Sequence, residues 1–300
     1  MRADQLAATF GIANVLAFSE SPDGLVKADI AIDGATAEVF PQGACVARWA
    51  PAGARPVLFT SPNSAFAPGR AIRGGVPIIF PWFGPHRTQS AAPQHGFVRA
   101  APWQLDAVER GPAGEVILTF SCASEAGQNQ FWPEKSRLTY RVSVGRQLAL
   151  ELAVENLTTH EIVFEEALHT YFAISDIDRV SVSGLEGCTF IDKTDGLKRK
   201  QQAGAVTLAA EMDRVYLATP ARAIVHDPDW QRRIVIDKAA AASSIVWNPW
   251  AEKSRGMADL GETAWRGMIC VETGNVADNE VHLAAGATHR MTTAITLGTA

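Results

Sequence analysis

The 300-residue sequence lacks any uninterrupted apolar run long enough to cross a membrane as a helix. Asp4 and Gln5 stand where a secretory signal would begin its apolar core. CxxC pairs are also absent, since the four cysteines Cys45, Cys122, Cys188 and Cys270 are far apart. The formal net charge of -5 disfavours a polyanionic partner. We therefore expect a cytoplasmic protein with free thiols that binds neither nucleic acid nor membranes.

Several motifs that carry common chemistries are missing as well. The seven histidines include no HxH or HExxH pattern and no Cys/His cluster with the spacing of metal ligands. GxGxxG, Walker A and GxSxG motifs are absent too. We therefore expect no metal and no other cofactor, and no acyl-enzyme chemistry.

What the chain does contain is a series of short alternating or apolar segments separated by turn residues. They predict strands at 27–32, 35–40, 115–123, 137–144, 147–156, 222–227, 232–238 and 290–298. Helical periodicity is limited to 3–9 and to a turn near 250–256. Strands that follow one another without helices favour antiparallel sheets. The sequence therefore predicts one large all-β domain, a sandwich or a barrel.

The stretch 73–99 is cationic and contains no carboxylate. Its four prolines and four glycines predict an ordered loop rather than a regular element. Its charged and titratable side chains are Arg73, His86, Arg87, His95 and Arg99. A basic loop on an acidic protein suits a small ligand that carries a negative group.

Three short segments could carry chemistry, and each has a structural alternative. In 94–99, His95 and Arg99 flank Gly96, which would let the backbone approach a ligand, although a turn with a solvated arginine fits too. His169 lies among apolar residues, where a histidine is more often a satisfied core residue than a catalyst. Glu272 ends an apolar run, so desolvation would raise its pKa, unless the side chain simply reaches water.

Two further segments each allow a functional and a structural interpretation. Asp213 in 211–216 could bind a hydroxyl or form an internal pair with Arg214. The segment 247–250 could provide aromatic rings for sugar stacking, or a turn over core tryptophans.

Taken together, six segments resemble the hexose-6-phosphate branch of the aldose 1-epimerase superfamily. They occur in order along the chain, at 73–86, 94–99, 165–172, 213–216, 247–250 and 268–276. The resemblance implies a galactose mutarotase-like supersandwich, a large twisted antiparallel β-sandwich with few short helices. It assigns 26–300 to a single catalytic domain, implies a monomer, and leaves 1–25 and the role of Arg87 unassigned.

The same resemblance implies an activity and a set of site residues. The activity is interconversion of the α and β anomers of a hexose 6-phosphate, with glucose 6-phosphate the first candidate. The catalytic pair would be His169 as general acid and Glu272 as general base. The substrate-binding residues would be Arg73, Gln94, Arg99 and Asp213, with His95 also lining the cleft.

The chemistry of anomer exchange then predicts the protonation states of the catalytic pair. Opening a cyclic hemiacetal needs a base at the C1 hydroxyl and an acid at the ring oxygen. We expect a raised pKa for Glu272 and a protonated His169, kept charged by a nearby negative group. Arg73 and Arg99 would hold the 6-phosphate. The alternatives are a mutarotase of unphosphorylated aldoses, a non-catalytic phosphosugar-binding sandwich, and a glycosidase using two carboxylates.

Overall fold

Strands form most of the regular structure in the computed structural model, which describes residues 2–125, 127 and 129–299. The first strands are β1 (Leu16–Glu20), β2 (Val26–Ile32), β3 (Ala35–Phe40), β4 (Cys45–Pro51), β5 (Ile78–Ile79), β6 (Gln104–Arg110), β7 (Val116–Ser124), β8 (Ser136–Val144), β9 (Leu148–Asn156), β10 (Ile162–Phe164) and β11 (Glu166–Leu168). The remaining strands are β12 (Tyr171–Ala173), β13 (Ser181–Ser183), β14 (Thr189–Asp192), β15 (Lys198–Gln201), β16 (Met212–Tyr216), β17 (Arg222–Asp227), β18 (Arg232–Ala239), β19 (Ser243–Asn248), β20 (Met268–Asn275), β21 (Val281–Leu283) and β22 (Thr288–Thr299). The α-helices are α1 (Ala3–Phe10) and α2 (Trp250–Arg255), and short 3₁₀ turns occupy Val98–Ala100, Ala264–Gly267 and Ala277–Asn279.

Two eight-stranded antiparallel sheets make up the sandwich. One has the order β15-β14-β16-β19-β20-β11-β5, with β12 also pairing to β20. The other has the order β13-β17-β18-β22-β9-β8-β7-β6. A four-stranded sheet, β1-β2-β3-β4, and the pair β10-β21 complete the fold. The predicted all-β antiparallel sandwich is confirmed, and so are the predicted strands and the two short helical segments.

The core explains why these segments form strands. In β8 alternate residues are buried, and Leu138, Tyr140 and Val142 point into the main hydrophobic cluster. The segment 1–25 also contributes to this cluster, because Leu6 of α1 and Leu16 of β1 are buried in it. None of the helices in the described residues is both long enough and apolar enough to span a membrane.

The strand β20 differs from β8 because every one of its residues is buried. Ile269 and Val271 point into the main core, so alternation places Cys270 and Glu272 on the opposite face of the sheet. Along that face the register aligns a row of side chains across four strands. The row consists of Asp213, Trp247, Cys270 and Tyr171. The sheet itself therefore carries the floor of a potential site.

Candidate active site

All the predicted site residues line one cavity of about 300 Å³. They are Arg73, Gln94, His95, Arg99, His169, Asp213 and Glu272. The other lining residues are Phe83, Gly84, Pro85, Lys193, Trp247, Lys253 and Met257. Three larger grooves, of about 770, 530 and 370 Å³, contain none of the predicted residues and no histidine. The cavity thus joins groups that are up to two hundred positions apart in the sequence.

Backbone contacts join distant parts of the loop 73–99 to each other. Gly96 has a φ of +70°, and a Cβ at this position would collide with the carbonyl oxygen of Phe80. The His95 N–H donates to the Gly84 carbonyl at 2.7 Å, and the Gly84 N–H donates to Nδ1 of His95 at 3.2 Å. Burial, followed by the charge of Arg99, lowers the pKa of His95. The neutral ring therefore carries its proton on Nε2.

The cationic end of the cavity is built around Arg73. Its Nε and one terminal nitrogen contact the same carboxylate oxygen of Asp259, at 2.9 and 2.8 Å. Its other terminal nitrogen donates to the hydroxyl of Tyr171 at 3.1 Å. Arg99 donates to the carbonyl oxygen of Gln94 at 2.8 Å. Both guanidinium groups are therefore oriented by hydrogen bonds at the wall of the cavity.

His169 and Glu272 lie next to each other in the lining of the cavity. Nε2 of His169 lies 3.4 Å from Oε1 of Glu272, and the two residues are 6% and 1% exposed. Within the part of the chain that the structure describes, neither carboxyl oxygen of Glu272 nor Nδ1 of His169 has a hydrogen-bond partner. A buried polar atom without a partner costs about 1–3 kcal/mol. A bound molecule that formed hydrogen bonds with these atoms would offset that cost.

The charges around the pair fix its protonation. Burial, reinforced by Asp213, raises the pKa of Glu272 well above its ordinary value. Burial, reinforced by Arg99 and Arg73, lowers the pKa of His169 well below its ordinary value. The predicted shift of Glu272 is confirmed. The prediction of a protonated His169 is wrong for the protein as folded, because burial of the imidazole, and after it the charges of Arg99 and Arg73, disfavour the charged form.

Asp213 does not form the internal pair with Arg214 that its sequence context allowed. Strand alternation separates the two side chains, and Arg214 contacts the oxygen of Gln202 at 3.2 Å. Asp213 instead pairs with Lys193, whose Nζ lies 3.1 Å from the carboxylate and 5.0 Å from the centre of the Phe83 ring. The result is a second polar end to the cavity, near Glu272.

The aromatic segment 247–250 is divided between two roles. Trp247 lines the cavity, whereas Trp250 packs on Trp265 with ring centres 4.6 Å apart. The Asn248 side chain fixes the turn by donating to the carbonyl oxygens of Trp265 and Met268, both at 2.8 Å.

Arg87 lies outside the cavity lining. Its side chain is 62% exposed, and one terminal nitrogen contacts a carboxylate oxygen of Glu165 at 3.3 Å and one of Glu280 at 2.6 Å. Glu165 is buried and accepts the backbone N–H groups of Phe83 at 2.9 Å and Ala277 at 2.8 Å. These contacts fasten the loop 73–99 to the chain that follows β20.

In the described residues, no three His, Cys, Asp or Glu side chains are grouped so that they could hold a metal ion.

Comparison with known proteins decides the family. Residues 28–296 match the family model of aldose 1-epimerase. The chain belongs to this family.

Curated relatives and solved structures agree with this membership. A protein of Salmonella typhimurium, provisionally named glucose-6-phosphate 1-epimerase, is 38% identical over 233 residues, which cover 77% of each chain. An Escherichia coli protein with the same provisional name is 36% identical and matches 80% of this chain and 79% of its own. The crystal structure of YeaD from Salmonella typhimurium, provisionally described as a mutarotase, superposes with a TM-score of 0.89 at 33% identity. The superposition covers 97% of this chain and 96% of YeaD.

In this member of the aldose 1-epimerase family, sequence reasoning missed three residues that contact the predicted site. Lys193 directly follows β14 and Asp259 lies in the loop after α2, so no periodic pattern marks either one. Tyr171 lies in the segment 165–172 that supported the family resemblance, but its own sequence context gave no sign of its contact with Arg73. Their proximity to the cavity follows only from the folded chain.

Proposed function

We propose that this protein interconverts the α and β anomers of a hexose 6-phosphate, with glucose 6-phosphate as the first candidate. The observation that carries the proposal is the combination, in one cavity, of the acid–base pair His169 and Glu272 with two arginines, Arg73 and Arg99. Within the described residues the carboxyl oxygens of Glu272 have no hydrogen-bond partner. The names of the curated relatives support this substrate class. We further propose that the catalytic domain is 26–300 and that the protein acts as a cytoplasmic monomer, without nucleic acid or membrane as a partner.

In the proposed complex the phosphate lies between Arg73 and Arg99, which donate charge-assisted hydrogen bonds to it. Gln94, His95 and Asp213 contact the sugar. Anchoring at C6 leaves C1 next to the pair of His169 and Glu272. After the ring opens, the C1 carbonyl can turn either face towards the C5 hydroxyl.

Phosphate binding also prepares the acid–base pair. Burial is the main cause that lowers the pKa of His169, and the charges of Arg99 and Arg73 add to it, so a dianion that neutralises these charges moves the pKa back towards its ordinary value. The same neutralisation removes the lowering effect of Arg99 on the pKa of Glu272. Lys193 still favours the carboxylate of Glu272. The proton of Glu272 then passes to His169 across the 3.4 Å between them. The bound substrate thus generates the carboxylate base and the imidazolium acid that the reaction needs.

The reaction itself is a pair of proton transfers. Glu272 removes the proton of the C1 hydroxyl while His169 donates a proton to the ring oxygen, and the C1–O5 bond breaks to give the open aldehyde. Rotation about C1–C2 exposes the other face of the carbonyl. Return of both protons closes the ring as the other anomer. Each well-placed proton-transfer group contributes about 10²–10⁴-fold, which suits a reaction that already proceeds slowly in water.

The test compares anomer exchange of glucose 6-phosphate and of glucose by NMR exchange spectroscopy. Faster exchange of the phosphorylated sugar supports the proposal, and equal rates favour a mutarotase of unphosphorylated aldoses. Phosphosugar binding without faster exchange would show a non-catalytic binding protein. Release of new reducing ends from a glycoside would show a glycosidase.

A further inference from the structure

One buried side chain, Tyr171, contacts both functional ends of the cavity. Its ring stacks on the imidazole of His169, with centres 4.9 Å apart and planes inclined by 13°. Its hydroxyl accepts a hydrogen bond from Arg73 at 3.1 Å. Tyr171 is only 2% exposed, so solvent does not compete for either contact.

The fold fixes the position of the Tyr171 ring. Backbone pairing places Tyr171 opposite Cys270 of β20, and Trp247 lies opposite the same cysteine from the other side. The Trp247 ring meets Tyr171 edge-on at 6.0 Å and His169 edge-on at 5.9 Å. The phenol is therefore held between the sheet and two rings, and has little freedom to change rotamer.

Arg73 depends on the same phenol for its orientation. Asp259 holds Nε and one terminal nitrogen, so the hydroxyl of Tyr171 is the partner of the remaining nitrogen. With both contacts the plane of the guanidinium is fixed. An arginine that is already oriented loses less entropy when it binds a phosphate.

We propose that Tyr171 is a positioning residue that sets the imidazole of His169 and the guanidinium of Arg73 in one fixed geometry. The ring and the hydroxyl would have separable tasks: the ring orients the acid, and the hydroxyl orients the phosphate-binding arginine. The inference rests on the proposed function for its substrate and deepens it, because it links recognition at C6 with proton transfer at C1 through a single side chain.

Two substitutions separate the tasks, and the chain offers a matched control. Tyr171→Phe keeps the ring and removes the hydroxyl, whereas Tyr171→Leu removes the ring as well. Tyr216 is fully buried and its hydroxyl donates to Gln202 at 2.8 Å, but it does not line the cavity. Tyr216→Phe therefore controls for the loss of a buried tyrosine hydroxyl.

For Tyr171→Phe we expect the KM for glucose 6-phosphate to rise about tenfold with kcat unchanged, because one charged hydrogen bond that orients Arg73 is lost. The affinity for inorganic phosphate, measured by calorimetry, should fall by a similar factor. For Tyr171→Leu we expect kcat to fall by about 10²-fold, because a misplaced acid costs about that much. Tyr216→Phe should leave KM, kcat and phosphate affinity unchanged.

A KM and a phosphate affinity in Tyr171→Phe that match those of the wild type would overturn the inference, even if Tyr171→Leu fails to fold. Equal changes in Tyr216→Phe would also overturn it, because they would show a general effect of buried hydroxyls. The calorimetric comparison does not depend on turnover. If the wild type does not accelerate exchange of the phosphosugar, the proposed function fails, while the phosphate affinities of the wild type and Tyr171→Phe still decide the role of the hydroxyl.

Discussion

Replacing Glu272 by glutamine removes the titratable group and keeps the shape of the side chain. The two carboxyl oxygens have no hydrogen-bond partner within the described residues, so the carboxyl group acts mainly on whatever enters the cavity. We expect kcat for glucose 6-phosphate to fall by about 10²–10⁴-fold, the usual contribution of one proton-transfer group. At 1.36 kcal/mol for each factor of ten, this is about 2.7–5.4 kcal/mol of transition-state stabilisation. KM should change little, because Arg73 and Arg99 are untouched.

The same substitution should change the pH dependence of stability in a definite direction. Burial raises the pKa of Glu272, so between the ordinary glutamate pKa and the folded pKa the folded protein keeps a proton that the unfolded chain has lost. The wild type therefore loses stability as the pH rises from the ordinary glutamate pKa towards the folded pKa, and Glu272→Gln does not. The stability of the variant relative to the wild type should increase from about pH 4 to about pH 8.

The measurements are NMR exchange spectroscopy of glucose 6-phosphate and urea denaturation at both pH values. Glu252→Gln provides the control, because Glu252 is exposed on α2 and does not line the cavity. The control should match the wild type in rate and in the pH dependence of unfolding. A fully active Glu272→Gln would refute the catalytic assignment. A relative stability that decreases with pH would refute the raised pKa.

Three further predictions test the surrounding structure. Arg73→Ala should raise KM for glucose 6-phosphate about 10–100-fold and leave KM for glucose unchanged, since charged hydrogen bonds contribute about 1.5–3 kcal/mol. Equal effects on the KM of both sugars in the exchange assay would count against phosphate binding there. Glu165→Gln should lower the free energy of unfolding in urea by about 1–3 kcal/mol, because a buried carboxylate loses backbone N–H contacts, whereas Glu280→Gln breaks only a half-exposed ion pair and should cost less than about 1 kcal/mol. Gly96→Ala should destabilise the protein far more than Gly69→Ala in thermal unfolding. Both positions have a positive φ, of +70° and +74°, but of these two only Gly96 is placed so that a new Cβ would collide with the backbone. Similar losses of stability in the two variants would contradict the packing of the loop.

The strands were predictable because their signal is local. The alternation over 137–144 has a period of two, and the strand Ser136–Val144 buries alternate residues accordingly. The catalytic candidates His169 and Glu272 were found from segments that are short and specific to the family. Neither prediction needed knowledge of which strands are neighbours.

The charge state of His169 could not be predicted in this way. It depends first on the burial of the imidazole and then on Arg99 and Arg73, which act on it through space. The contacts of Lys193 and Asp259 depend in the same way on loops that meet only after folding. Electrostatic effects and hydrogen bonds depend on distances between atoms. The spacing of residues along the sequence does not determine these distances for remote segments.

The sequence by itself determined that this chain forms antiparallel sheets, carries a cationic loop without carboxylates, and contains the family's acid and base candidates. Those properties follow from side-chain alternation and residue type, which act over a few positions. Only the tertiary structure decided which groups share the cavity, that Asp259 and Tyr171 orient Arg73, and where the proton of the His169–Glu272 pair resides. Burial and the placement of opposite charges create these properties, and both arise when distant segments pack together.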